Sequence, residues 1–73
     1  MTHEAISSLV SRNDDKALDD LRRLSVASDQ FLRRTALDVI GRHQRGRELI
    51  TSVLDAFHDS SDYVRRTACE VVG

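Results

Sequence analysis

Residues 31–41, FLRRTALDVIG, recur 32 positions later as residues 63–73, YVRRTACEVVG. The run Arg-Arg-Thr-Ala, one Val and the final Gly are identical, and the remaining pairs are conservative: Phe31 with Tyr63, Leu32 with Val64, Leu37 with Cys69, Asp38 with Glu70, Ile40 with Val72. Self-similarity at such a period is the mark of a stacked repeat. Each unit of that size is too small to bury its own apolar face and must share a core with its neighbours.

The same offset runs backwards, placing Ala17, Leu18 and Leu21 on Leu49, Ile50 and Val53. Each unit therefore reads as two helices. In the first helix of the second unit, Leu49, Ile50, Val53, Leu54 and Phe57 form one apolar stripe at the 3.6-residue period, and Ala17, Leu18, Leu21 and Leu24 form its equivalent. In the second helices the stripe is Leu32, Ala36, Val39, Ile40 and again Val64, Ala68, Val71, Val72, with Ala36 and Ala68 small enough for a neighbouring helix to approach closely. The absence of proline and the presence of only three glycines suit helices joined by short turns.

Boundary signals agree with this division. Asp29 and its counterpart Ser61 are expected to N-cap the second helices by accepting a first-turn N–H, and Asn13 to cap the helix that begins near Asp14. Gly41 and Gly73 are expected to end the second helices through positive φ. Ala5, Ile6, Leu9 and Val10 predict one further helix that aligns poorly, a divergent or capping half-repeat. The expectation is an all-α chain of about five helices in repeated pairs. Its parts are a divergent or capping helix over 1–12, repeat one over 14–42 and repeat two over 46–73.

A Leu-rich helix, a short Ser/Asp turn, then a hydrophobic–Arg pair followed by Ala and a closing Gly resembles the HEAT repeat in its short bacterial form. Leu32-Arg33, Ala36 and Gly41 carry the resemblance in one unit, and Val64-Arg65, Ala68 and Gly73 in the other. The resemblance spans about residues 14–73 and implies an α-solenoid of antiparallel helix pairs, about two and a half repeats stacked with a right-handed sense. It also implies that Arg33 and Arg65 tie the turns through an aspartate, with Asp29, Asp59 or Asp62 as acceptors. Two departures stand out: the turn proline is missing in both units, and Ser61 replaces the acidic turn residue in the second.

The chain has 73 residues and a net charge of -1, enough for one small unit and unlike a generic polyanion binder. No apolar run approaches the roughly 18 residues of a spanning helix, and MTHEAISSLV lacks a signal pattern, so no membrane contact is expected. The single Cys69 cannot form an internal disulfide, which makes the cytoplasm the expected compartment. No catalytic residue, metal or cofactor is assigned. His3, His43, His58 and Cys69 show no metal-ligand spacing, and Cys69, standing where the other unit has Leu37, reads as a buried or half-buried hydrophobe. Catalytic relatives with this repeat include hydroxylases that rely on His-Glu pairs, matched only by His3-Glu4, and glycosylases with a Trp-lined groove, whereas this chain has no Trp.

The primary expectation is a non-catalytic protein–protein interaction scaffold, either a piece of a longer solenoid or a small protein that self-associates through an uncovered terminal face. The family's geometry places Arg34 and Asp38, repeated as Arg66 and Glu70, on one charged ladder flanked by Phe31 and Tyr63. One alternative is a phosphate-contacting nucleic-acid module using Arg42, Arg45 and Arg47. Potential i,i+4 ion pairs such as Asp29–Arg33, Arg34–Asp38, Asp38–Arg42, Asp62–Arg66 and Arg66–Glu70 count against it by neutralising the cations. A fragment of a repeat-built bilin lyase is the other alternative.

Overall fold

A computed structural model of the chain describes residues 3–72. Five α-helices and no strand occur among them: α1 (His3–Ser7), α2 (Asp15–Leu24), α3 (Gln30–Arg42), α4 (Ile50–Ala56) and α5 (Asp62–Val72). A 3₁₀ turn over Ser8–Ser11 prolongs α1, and another over Gly46–Leu49 leads into α4. None of the described helices is long and apolar enough to cross a membrane.

Helix α3 is the hub. It packs against α1 and α2 on one side and α5 on the other, while α4 covers α5. The core between them is built from Ile6 and Leu9, from Leu21 of α2, from Leu37 and Ile40 of α3, and from Leu49, Val53 and Val64 of the second unit. Side chains of this size each contribute about 1.5–3 kcal/mol when fully buried. The poor alignment of the first helix has a simple cause. Shifting the offset from 32 to 31 lays Ala5, Ile6 and Leu9 on Ala36, Leu37 and Ile40, and α1 does pack on α3, as α3 packs on α5.

The helix ends follow local chemistry, with exceptions. Asp29 caps α3, its carboxylate accepting the Phe31 N–H at 2.8 Å. The cap of α2 is Asp14 rather than Asn13, because the Asp14 carboxylate reaches the Ala17 N–H at 2.8 Å. Gly41 does not terminate α3 by positive φ: no described residue has positive φ, and the helix continues to Arg42 and ends with His43 in extended backbone. What Gly41 does is admit α5, since a Cβ there would lie 2.9 Å from Cγ2 of Val71. Gly73, expected to do the same for α5, lies outside the described residues.

Two further corrections concern exposure. The stripe on α4 is only half used, with Leu49 and Val53 buried but Ile50 and Leu54 exposed. Cys69 is likewise exposed, not buried or half-buried. The repeat itself explains the difference. Leu18 is 5% exposed and its counterpart Ile50 is 44%; Ile40 is 2% exposed and its counterpart Val72 is 50%. The second unit covers Leu18, Leu37 and Ile40, and no further unit among the described residues covers Ile50, Cys69 and Val72. Leu54 matches Arg22, which faces solvent as well.

Candidate functional site

The turns are tied by one arginine. Arg33 grips Asp59 with two parallel bonds, Nε to Oδ2 at 2.9 Å and Nη2 to Oδ1 at 3.0 Å. Its Nη1 donates to the carbonyls of Ala27 and Ser28 at 2.8 and 3.0 Å, so one guanidinium joins the turn of its own unit to that of the next. Arg65 reproduces half of this arrangement. Its Nη1 donates to the Asp59 carbonyl, which is the position of Ala27 moved by one repeat, and its remaining charge pairs with Asp62. Among the acceptors considered, Asp59 therefore serves Arg33, Asp62 serves Arg65, and Asp29 is taken by its cap. Ser61 departs from the expected side-chain cap: its hydroxyl donates to Oε1 of Gln30 and its N–H to Asp59 Oδ1, so it too stitches the two units together.

Burial pushes the Asp59 carboxyl up. The bonds from Arg33 and the Ser61 N–H, with the charges of Arg33 and Arg65, outweigh that and hold it below the ordinary aspartate value. A carboxylate depressed in the folded state contributes stability that is complete above its unfolded pKa, near 4, and lost as the pH falls below that through the folded value. Urea unfolding followed from about pH 6 down to about pH 2 is expected to show this acid loss, and Asp59→Asn to flatten it while lowering stability at the upper end.

The ladder residues share one face. Positions 31, 34 and 38 of α3, and 63, 66 and 70 of α5, follow i, i+3, i+7 spacing, and α3 and α5 lie side by side. Phe31 is 60% exposed and Tyr63 57%, so both present most of their ring to solvent. Arg34, Arg66 and Glu70 are exposed and Asp38 half-buried. Beneath them Thr35 and Thr67 are buried, each hydroxyl donating to the carbonyl four residues back, Phe31 at 2.8 Å and Tyr63 at 2.9 Å. A groove between the helices is lined by Arg34, Asp38, Arg42, Thr67 and Glu70. Of the expected i,i+4 pairs, only Asp38–Arg42 forms among the described residues. Among the described residues neither Arg34 nor Arg66 joins an ion pair, in keeping with how little an exposed pair gains against the entropy of holding two long side chains.

The Arg-rich loop is largely engaged. Arg45 bonds Asp15 at 2.9 Å and Glu48 at 2.7 Å, clamping the loop onto the start of α2. The bond with Glu48, then that with Asp15, raises the Arg45 pKa, and the same Arg45 bond holds the Glu48 carboxyl below its usual range. Arg42 is paired with Asp38, which leaves Arg47 exposed and outside any ion pair among the described residues. Residue-type reasoning missed His43 at the base of this loop. It is buried, its Nδ1 accepts the Arg45 N–H at 2.9 Å, and its Nε2 is therefore the protonated nitrogen, donating to the Arg12 carbonyl at 2.6 Å. No repeat partner or metal-ligand spacing signalled it. His58 is exposed, the side chain of His3 lies outside the described residues, and no group of three or more His, Cys, Asp or Glu is placed to hold a metal among the described residues.

Comparison with known proteins gives one match. A protein-family model described as HEAT repeats covers residues 2–73. No curated protein and no solved structure matches the chain.

Proposed function

Since this chain belongs to the HEAT-repeat family, we propose that it is a protein-binding scaffold whose contact surface is the outward stripe of α3 and α5. Repeats of this family generally mediate protein binding and are usually non-catalytic. The observation that carries the choice of surface is the exposure of Phe31 and Tyr63, one on each second helix, in line with Arg34 and Arg66. An aromatic beside an arginine with no ion pair of its own is a common interface anchor, and here the pair occurs twice at the repeat spacing. Asp38 and Glu70 complete each row with a negative charge, which favours a partner presenting both signs of charge around apolar side chains.

The test is capture from lysate of the source cells with and without nuclease, comparing the native chain with a variant carrying Phe31→Ala, Arg34→Ala, Tyr63→Ala and Arg66→Ala. All four side chains face solvent, so helicity is expected to be unchanged. A protein held by the native chain is expected to bind the variant about tenfold or more weakly. Equal retention by both overturns the choice of surface. A catch that disappears with nuclease replaces the protein reading with phosphate contact through Arg42, Arg45 and Arg47.

A further inference from the structure

Helices α3 and α5 run parallel and in register. Ser61, immediately before α5, bonds Gln30, the first residue of α3, and Gly41 near the end of α3 lies against Val71 near the end of α5. Equivalent residues therefore stand opposite one another and form rows across the pair: Phe31 with Tyr63, Arg34 with Arg66, Asp38 with Glu70. Each row is as long as the spacing of two packed helices, about 8–10 Å. Along either helix the rows together span about 10 Å, which is the width of a single helix with its side chains.

The chemistry of the rows selects what can lie on them. The backbone of α3 and α5 is bonded within its own helices, and the Thr35 and Thr67 hydroxyls beneath the rows donate to carbonyls of those same helices. The stripe thus offers no edge of free N–H and C=O groups to an extended segment, whose affinity would come from main-chain bonds. A helix satisfies its own backbone and needs only side-chain contacts. On a helix, residues i and i+7 point the same way and stand about 10 Å apart, which matches the length of a row.

Given the α3–α5 stripe as the contact surface proposed above, on which this rests, we infer that the partner's contacting element is an amphipathic α-helix laid across α3 and α5, with carboxylates at i and i+7 over Arg34 and Arg66. Its apolar flank covers Phe31 and Tyr63, and its basic flank faces Asp38 and Glu70. Charge complementarity places the carboxylates: Arg34 and Arg66 join no ion pair among the described residues, whereas Asp38 is already paired with Arg42. A second copy of this chain does not supply such a helix, because none of α1 to α5 carries two carboxylates seven residues apart.

Three fluorescein-labelled synthetic peptides of about 18 residues, long enough to form a helix, are the probes, with binding to the native chain read by anisotropy at low salt. The first has glutamates at i and i+7, leucines along one flank and lysines along the other. The second moves one glutamate from i+7 to i+5, which turns it away from the other by about 140°. The third keeps the first sequence with D-residues at two central positions, which breaks the helix and retains every side chain. The first peptide is expected to bind about tenfold or more tightly than either of the others, and to lose that advantage on a chain carrying Arg34→Ala and Arg66→Ala. Both arginines face solvent, so the circular dichroism of that chain is expected to match the native one. Equal affinity for the first and second peptides, tighter binding of the third, or no binding of the first overturns the helix. The capture experiment separates the two levels: a captured protein released by the four-residue variant leaves the stripe standing even when the peptides overturn the helix, and a protein held equally by both chains overturns stripe and helix together.

Discussion

Replacing Arg33 with Ala should lower the unfolding free energy by about 3–4 kcal/mol, read by urea denaturation at neutral pH. The removed group makes two bonds to Asp59 and two to backbone carbonyls from a side chain only 14% exposed. What remains is the costly part: a carboxylate shielded from water without its counter-ion, and the Ala27 and Ser28 carbonyls without their donor. Arg33→Lys is expected to recover little, because a single ammonium cannot make the paired bonds and reach the turn at once. Arg65→Ala, the same position one repeat on, is the internal control. With a more exposed side chain and an ion pair within its own helix, it should cost under about 1 kcal/mol. A chain of this length holds about 4–11 kcal/mol in all, so the loss at Arg33 takes a far larger share of the total than the loss at Arg65. Equal losses at the two positions would contradict the cross-unit role given to Arg33.

Gly46→Ala is the second large effect, at about 3 kcal/mol in the same measurement, the top of the usual range for overpacking. A Cβ at Gly46 would overlap the backbone carbonyl oxygen of Ile40, and backbone in the middle of a buried helix end cannot rotate away as a side chain can. The displacement would pass directly into the turn bonded from Gly46 N–H to the His43 carbonyl at 2.9 Å, and from there into the Arg45 clamp. Gly41→Ala makes the contrast. There the obstacle is Cγ2 of Val71 at 2.9 Å, a side chain that can shift, and Ala is preferred over Gly inside a helix by about 1 kcal/mol. Its net change should be within about 1 kcal/mol of zero. A Gly46→Ala variant as stable as the parent would show that the loop yields more easily than its packing indicates.

Much of this architecture could be read from spacing alone. The recurrence of Phe31–Gly41 at Tyr63–Gly73 marked the two second helices, the apolar stripes marked the first ones, and Asp29 announced its cap. These are properties of neighbouring residues on one helix, and 3.6-residue geometry decides them locally. The candidate surface was legible for the same reason: 31, 34 and 38 fall on one stripe whatever the helix packs against. The failures have a common origin. Asp14 displaces Asn13 as a cap because of where the chain leaves the first 3₁₀ turn, and Ser61 turns its hydroxyl to Gln30 because the other unit brings that acceptor within reach. His43 had no pattern to betray it, since both of its partners are backbone groups, one of them 31 residues away.

The periodicity of the chain determined by itself that it forms paired helices with one apolar and one polar face, because those choices depend on residues three and four positions apart. Which of two equivalent residues is buried was decided only by the tertiary structure. Leu37 and Cys69 occupy the same place in the repeat, yet one lies within the core and the other faces solvent. Arg33 and Arg65 are likewise the same residue in the same local setting, and only the first meets a carboxylate across the unit boundary. The physical reason is that burial and ion pairing between units belong to the neighbour as much as to the residue. A repeat specifies the shape of its contact face, and its environment is set by what is stacked upon it.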